Sequence, residues 1–443
     1  MKHWSDVRQL AAGGLLAGLS MLSLQSAHAV PSFSRQTGVS CDACHVGSFG
    51  PELTPFGQRF KIGGYVEGGN SAVPLSAMIV GNLTHTAEGQ PDNPPGFNHN
   101  DNAAVQEVSA FLAGRLASHL GSFAQVTYSG VDHSASWDNL DLRYVRDFKP
   151  QNHDLLLGVS VNNNPGIQDP FNNLPAWSFP YTASDLAPSP ATGPLLAGGL
   201  AQQVLGGSVY GFLDDHWYGE VGGYHSLGSR TLDHFGVAEE DIVRTAGISP
   251  YLRLGYLNDL GSHAYNLGLV AMQSRLDLPG VAASDRYRDV GVSAAYQYFG
   301  TRTNMFTANA LALHEWQHLS ASRALGDAQH QGLGLNSYSL DLSYYRDQTY
   351  GLTVGLFDTQ GSRDRFVYAD NRLQRPDSRG EMVQIDYTPF GKYGSWMAPN
   401  VNVRLGLQYT RYDRFDGADG NYDGTGRSAS DNDTLMAFVW GAF

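Results

Sequence analysis

From about residue 76 to residue 443 the chain repeats one pattern, a segment of roughly ten residues in which apolar and polar side chains alternate. A period of two places successive side chains on opposite faces of an extended strand. In the clearest case Val401, Val403, Leu405, Leu407 and Tyr409 share one face, and Asn402, Arg404, Gly406, Gln408 and Thr410 share the other. About sixteen such segments follow one another, beginning near Ser76 and ending with the one near Asn432. An even number of two-faced strands suits an antiparallel sheet closed into an outer-membrane barrel, apolar outside and polar within. A soluble sandwich or propeller has the same alternation.

The connections favour the barrel. Short links fall at Ser118 to Gly121, Phe148 to Asn152, Asp259 to Gly261 and Gly300 to Arg302. Long ones separate Thr86 from Asn102, Asn163 from Leu200, Gly228 from Ala246, Leu319 from Leu333, Thr359 from Ser378 and Asp413 from Asp431. That alternation is expected of periplasmic turns and outside loops. The link from His133 to Trp137 breaks it, being short where a long loop is expected. The last segment places Leu435, Ala437, Val439, Gly441 and the terminal Phe443 on one face, which suits barrel insertion.

Residues 1 to 29 read as an export signal: Lys2 and Arg8, an apolar stretch from Leu10 to Leu24, then Ala27-His28-Ala29 as a small-x-small cleavage site. The apolar stretch is too short to span a membrane as a helix. Removing these residues takes the formal charge from −14 to −15, which argues against nucleic acid as a partner and leaves an acidic surface able to attract cations. Three parts result: a signal over 1–29, a small segment over 30–75 and an all-β barrel over 76–443.

The small segment holds the chain's two cysteines in Cys41-Asp42-Ala43-Cys44-His45, the C-x-x-C-H pattern of haem attachment. Two thiols so spaced can form thioethers to the two haem vinyl groups, and His45 can place its imidazole on the iron. A dithiol redox centre would want a βαβ context and a zinc site a second ligand pair, and neither is evident. The second axial ligand is not fixed by the sequence; Met78, Met272, Met305, Met382, Met397, Met436 and His85 are candidates.

The run from Val30 to Ser40 leads into the haem motif, and Pro51-Glu52-Leu53-Thr54-Pro55-Phe56-Gly57-Gln58-Arg59-Phe60-Lys61-Ile62-Gly63-Gly64-Tyr65 follows it. This stretch resembles the fused cytochrome–porin family, outer-membrane proteins with one c-type haem ahead of a barrel, the best known of which are extracellular iron(II) oxidases. The segment from Asn162 to Tyr181 also resembles that family. The resemblance implies Fe(II) as extracellular electron donor and a periplasmic acceptor such as a soluble cytochrome. The rival functions are a diffusion porin with a haem-bearing plug, and outward electron flow.

A segment of about 46 residues is at the margin for burying its own core, so it needs help from its surroundings, and a sixteen-stranded barrel has a lumen able to receive it. Arg35, Arg59 and Lys61 could pair with haem propionates, or face solvent or acids of the barrel wall. The Pro-rich, aromatic loop from Asn163 to Leu200 could fold inward to close the lumen or cap neighbouring loops.

Two further motifs need weighing. His314-Glu315-Trp316-Gln317-His318 matches H-E-x-x-H, but it continues the alternating Phe306, Ala308, Ala310, Ala312. On a strand the two histidines stand ~13 Å apart, too far to share a zinc ion with bonds of ~2 Å. In the last outside loop, Asp419, Asn421, Asp423 and Gly424 form the opening half of a calcium loop. The closing glutamate is replaced by Ser430, so the site needs Asp413, Asp416, Asp431 or Asp433 to complete it. A divalent cation is expected at Asp419, Asn421 and Asp423, structural calcium rather than substrate iron.

Overall fold

A computed structural model describes residues 31–69, 73–237, 242–398 and 400–443; the expected export signal lies outside them. Among the described residues, sixteen antiparallel strands close into one barrel, each paired with its neighbours in sequence and the first with the last. They are β1 (Leu75–Thr86), β2 (Asn102–Ala117), β3 (Leu120–Ser129), β4 (Ser134–Phe148), β5 (Leu155–Asn162), β6 (Val204–Leu213), β7 (Trp217–Ser226) and β8 (Ser249–Asp259). The second half comprises β9 (His263–Asp277), β10 (Ser284–Tyr298), β11 (Asn304–His318), β12 (Gly332–Arg346), β13 (Tyr350–Gly361), β14 (Ser378–Tyr387), β15 (Asn402–Arg414) and β16 (Thr434–Ala442). Closure runs from Met78 opposite Ala442 to Thr86 opposite Thr434, so no strand edge is left unpaired.

The outer face is the apolar half of the alternation. Leu352, Val354 and Leu356 on β13, Val383 and Ile385 on β14, and Leu405 and Leu407 on β15 all project outward and are exposed. Their in-between neighbours, among them Thr353, Gln384, Asp386, Arg404 and Gln408, are buried in the lumen. Aromatic rings ring the end with short turns: Phe148, Trp217, Tyr256, Tyr296, Phe306, Tyr344, Tyr350 and Tyr387 sit at strand ends, with Tyr350 on Tyr387 at 5.2 Å and Phe306 on Tyr344 at 4.9 Å. Tyr128, Trp316 and Tyr409 do the same near the opposite end. An apolar band between aromatic girdles on a closed barrel is the signature of an outer-membrane protein, and the short-turn end is the periplasmic one.

The exceptional short link between β3 and β4 is covered from outside the pair. Helix α4 of the β7–β8 loop (Ser229–His234) brings Phe235 onto Trp137, with rings stacked at 4.4 Å and the Trp137 amide donating to the Phe235 carbonyl at 2.9 Å. A neighbouring loop thus does the work of the missing one.

The N-terminal segment sits inside the barrel as a plug. It consists of α1 (Pro31–Thr37), α2 (Cys41–Cys44), a short 3-10 turn at Val46–Ser48 and α3 (Pro55–Ile62). Helix α3 starts where Thr54 accepts from the Gly57 amide with Pro55 behind it, and stops at Gly63. Its core is shared with the wall: Phe60 and Tyr65 pack with Phe111 and Phe123, and Ile62 with Phe171, Tyr210 and Leu257. A segment this small gains its apolar burial from the barrel.

The lipid-facing band generates a direct test. Leu407→Arg places a charge midway along β15 on the outer face and is expected to cost about 2–4 kcal/mol. Urea unfolding in lipid vesicles reads this; a change below about 1 kcal/mol would mean that this face does not meet hydrocarbon.

Candidate haem site and lumen

Cys41 and Cys44 lie on one turn of α2, three residues apart and therefore on the same helical face, with both thiols free. Burial pushes the Cys41 thiol up, and burial with the nearby charges of Cys41, Glu67 and Asp42 pushes Cys44 up to about 12. These are protonated thiols, unlike the low-pKa thiolate of a dithiol redox centre. His45 follows at the C-terminus of α2. Its Nδ1 meets the Glu52 backbone carbonyl at 3.2 Å, which leaves Nε2 for a metal. Burial lowers its pKa to about 4, so the imidazole is neutral at pH 7, the form that ligates. The ring lies against Gly50, where an added Cβ would come within 3.2 Å of His45 Cε1. The donor set fits a covalently attached haem.

This site lies at the periplasmic mouth. The Asp42 amide donates to the Gly391 carbonyl in the β14–β15 turn at 3.1 Å, and Gly47 and Ser48 bond Gln348 in the β12–β13 turn at 2.8 Å each. Of the candidate second ligands, Met305 packs with Val46, the residue after His45, and with Tyr345. Met78 Sδ accepts from Trp440 Nε1 at 3.2 Å, and Met272 lies in a cluster with Leu174 and Leu200. His85 is exposed at the outer end of β1, 2.7 Å from Asp101.

From above, the loop between β5 and β6 descends into the lumen and meets the plug. Asn172 Nδ2 donates to the Pro51 carbonyl at 2.8 Å, Tyr181 Oη to Glu52 Oε2 at 3.2 Å, and Lys61 Nζ to the Ile167 carbonyl and Asn172 Oδ1 at 2.6 and 2.7 Å. Of the two arrangements open to this loop, the structure has the inward one. Three arginines of the wall, each at most 1% exposed, tie plug and loop to the strands. Arg143 pairs with Asp141 at 2.8 Å and donates to the carbonyls of Lys61 and Gln168. Arg253 pairs with Asp169 at 2.5 Å, and Arg404 donates to the Phe49 carbonyl at 3.2 Å while lying over the Phe49 and Tyr181 rings. Apart from Arg143 with Asp141, which alternation places on one face of β4, these pairings are not signalled in the sequence, because each joins residues that only the folded barrel brings together.

The three cations expected near haem propionates make contacts within the chain. Arg59 pairs with the wall acid Asp259 at 3.0 Å, Lys61 holds the inward loop, and Arg35 donates to the Leu75 carbonyl at 2.5 Å. Arg59 and Lys61 thus fasten the plug, because a buried cation takes the nearest anion or carbonyl. In the β15–β16 loop, Asp423 accepts from the amides of Thr425, Gly426 and Arg427, and Asp419 from that of Gly420. Arg372 donates to the backbone carbonyls of Asn421 and Gly420. His314-Glu315-Trp316-Gln317-His318 lies on extended β11, as its alternation indicated.

No protein-family model matches the chain, and no curated protein matches it. Among solved structures it is similar to the outer-membrane channel DcaP of Acinetobacter baumannii, at 11% identity over 84% of this chain and 97% of that one, with a TM-score of 0.47. It is similar also to OmpF of Salmonella typhi, at 11% identity over 83% and 97% with a TM-score of 0.42. OccK2 of Pseudomonas aeruginosa gives 11% over 83% and 97%, with a TM-score of 0.39.

Lys61 makes the docking of the plug pH-dependent. Burial, with Arg143 adding to it, lowers its pKa to about 7 from the 10.5 of an exposed lysine. The undocked chain then binds the extra proton between these values, so the penalty for docking is full below pH 7 and fades as pH rises toward 10.5. Protease resistance of the plug should therefore increase from pH 7 to 10 in the parent and change less in Lys61→Met. Equal slopes in both would show that Lys61 keeps its charge when docked.

Proposed function

We propose that the protein is an outer-membrane c-type cytochrome that passes electrons from an extracellular donor, foremost Fe(II), through one haem to a periplasmic acceptor. The observation that carries this reading is the set of Cys41 and Cys44 on one helical turn with His45 directly after it at the periplasmic mouth, the imidazole held through Nδ1 by the Glu52 carbonyl. A haem bound there supplies reversible one-electron chemistry. Cys41 and Cys44 would hold it by thioethers, and His45 would ligate its iron through Nε2.

The rest of the chain supplies the environment. The Glu52 carbonyl fixes the His45 ring, while its carboxylate is anchored by Tyr181 of the inward loop. Ligand orientation is thereby coupled to the outer half of the lumen. Plug and inward loop pack against each other in the lumen, and the acidic surface favours the approach of a cationic donor. The donor's identity comes from the resemblance of residues 30–65 to the fused cytochrome–porin family; a soluble periplasmic cytochrome would be a fitting acceptor. The barrel itself also suits a second reading, a diffusion porin whose plug carries the haem.

Stopped-flow mixing of oxidised, purified protein with Fe(II) tests the main reading through the haem absorbance. Reduction is expected in the parent, whereas His45→Ala should retain the folded barrel and lose both low-spin ligation and Fe(II)-driven reduction. Haem should survive denaturing electrophoresis in the parent and be lost from the Cys41→Ala, Cys44→Ala double variant. A large, stable open channel in bilayers of haem-loaded protein, with no reduction by Fe(II), would favour the porin instead.

A further inference from the structure

Asp289 on β10 and Glu315 on β11 are directly opposed in the sheet, a pairing that brings Cβ atoms to about 4.5–5.5 Å. Both face the lumen and both are 1% exposed. Like charges so placed are destabilising unless something neutralises them. Elsewhere in the lumen Asp141, Asp169 and Asp386 each have an arginine partner. Asp289 and Glu315 have no ion pair to Lys, Arg or His among the described residues.

The hydrogen bonds are equally lopsided. Glu315 Oε2 accepts from the Leu195 amide at 2.7 Å and Oε1 from Gln317 Nε2 at 2.6 Å, which fixes the carboxylate while leaving each oxygen a second lone pair. Asp289 has the Leu196 amide and the Glu315 carboxyl as polar neighbours, but neither of its oxygens makes a well-formed hydrogen bond among the described residues. On the adjoining strand Ser274, opposite Tyr287 and so one step from Asp289 along the same lumenal face, is 1% exposed with its hydroxyl also unpartnered. Buried oxygens without partners call for an ion or a water to satisfy them.

A cavity at the outer mouth comes within two residues of the pair along each strand. The outer mouth holds a cavity of about 620 Å³ lined by Gly193, Tyr287, Gln317, Asp327 and Tyr368 among others. Gln317 in its lining is the residue bonded to Glu315, and Tyr287 stands two residues before Asp289 on the same face. The carboxylates therefore lie just beneath the floor of an outward-opening vestibule.

We propose that Asp289 and Glu315, with the Ser274 hydroxyl, hold one hard divalent cation of the calcium, magnesium or manganese type. An all-oxygen donor set selects such ions over softer metals, and a charge of +2 balances two carboxylates without an arginine. Waters from the vestibule complete the coordination. The site is independent of the haem reading, since it lies in the wall and uses none of the plug's residues.

Haem-loaded, full-length protein in detergent is titrated with Mn(II), the free ion being followed by its paramagnetic resonance signal. One bound equivalent, displaced by Ca(II), is expected in the parent, with affinity at least tenfold weaker in Asp289→Asn and in Glu315→Gln. Heat-modifiable electrophoretic mobility checks that each variant is folded, and Ca(II) should raise the melting temperature of the parent but not of either variant. Equal Mn(II) binding in parent and variants would assign the ion to the acidic outer loops and overturn the site. Absence of binding in the parent, with an infrared band of a protonated carboxyl that Asp289→Asn removes, would show that the pair shares a proton instead.

Discussion

Three guanidinium groups pointing into the lumen, those of Arg143, Arg253 and Arg404, decide how this barrel is filled. A buried arginine without partners costs several kcal/mol, and the strands supply only part of what each needs. Asp141 neutralises Arg143, but its remaining donors reach carbonyls of Lys61 in the plug and Gln168 in the inward loop. Arg253 takes its carboxylate from Asp169 of that loop, and Asp169 in turn accepts from the Asn173 and Leu174 amides. Arg404 reaches Phe49 and Gly50 of the plug. The wall, the plug and the loop therefore share one buried polar network, in which the Arg253 guanidinium is held by its ion pair with Asp169 and, like Arg404 Nε, has no hydrogen-bond partner among the described residues; taking any one part away would expose charges in the other two.

That mutual dependence explains how so small a plug holds the Cys41–His45 segment in place. The plug's helices are short, from four to eight residues, and their apolar side chains insert between wall residues instead of forming a separate core. His45 is held by a chain of contacts: its ring by the Glu52 carbonyl, and the Glu52 carboxylate by Tyr181 from above. Such support from beyond the ligating residue itself is what sets the orientation and basicity of a metal-bound imidazole.

Legibility in the sequence followed the range of the interaction. Strand count, outward face and sidedness depend on neighbours two residues apart or on loop length, so β1 begins at Leu75 and β16 at Thr434, within two residues of the starts read from alternation. Strand β4 begins four residues earlier than expected, at Ser134, because its first residues pair with Ser129 and Tyr128 across the short link. The C-x-x-C-H spacing is likewise local, and the structure places Cys41 and Cys44 on one helical turn with His45 after it. Arg59 and Lys61 were recognisable as cations worth placing, yet their partners Asp259 and Asn172 are 200 and 111 residues away, and nothing local marks them. Glu315 drew notice only inside a false H-E-x-x-H match; alternation sends it inward while Trp316 beside it faces out, and only register reveals Asp289 across from it.

Porins and redox proteins place opposite demands on a barrel interior. A solute crosses only through continuous water, so a general pore keeps its wall charges hydrated and its inward loops to one side. An electron crosses through packed protein, and its cofactor benefits from exclusion of water, since a drier surrounding strengthens each interaction that tunes it. Here the wall charges are spent on the plug and the loop, and aromatic rings occupy much of the space between. Trp177 of the loop meets Phe123 of the wall at 5.5 Å, Phe123 meets Phe33 of the plug at 6.5 Å, and Lys61 lies over Trp177 at 4.9 Å. The vestibule beneath the outer loops keeps a cavity of about 620 Å³, and its lining residues Tyr287 and Gln317 stand two residues from the buried acids Asp289 and Glu315. The interior thus passes from an open mouth outside to a packed plug inside, because the polar groups of the wall, the plug and the inward loop meet one another below the vestibule.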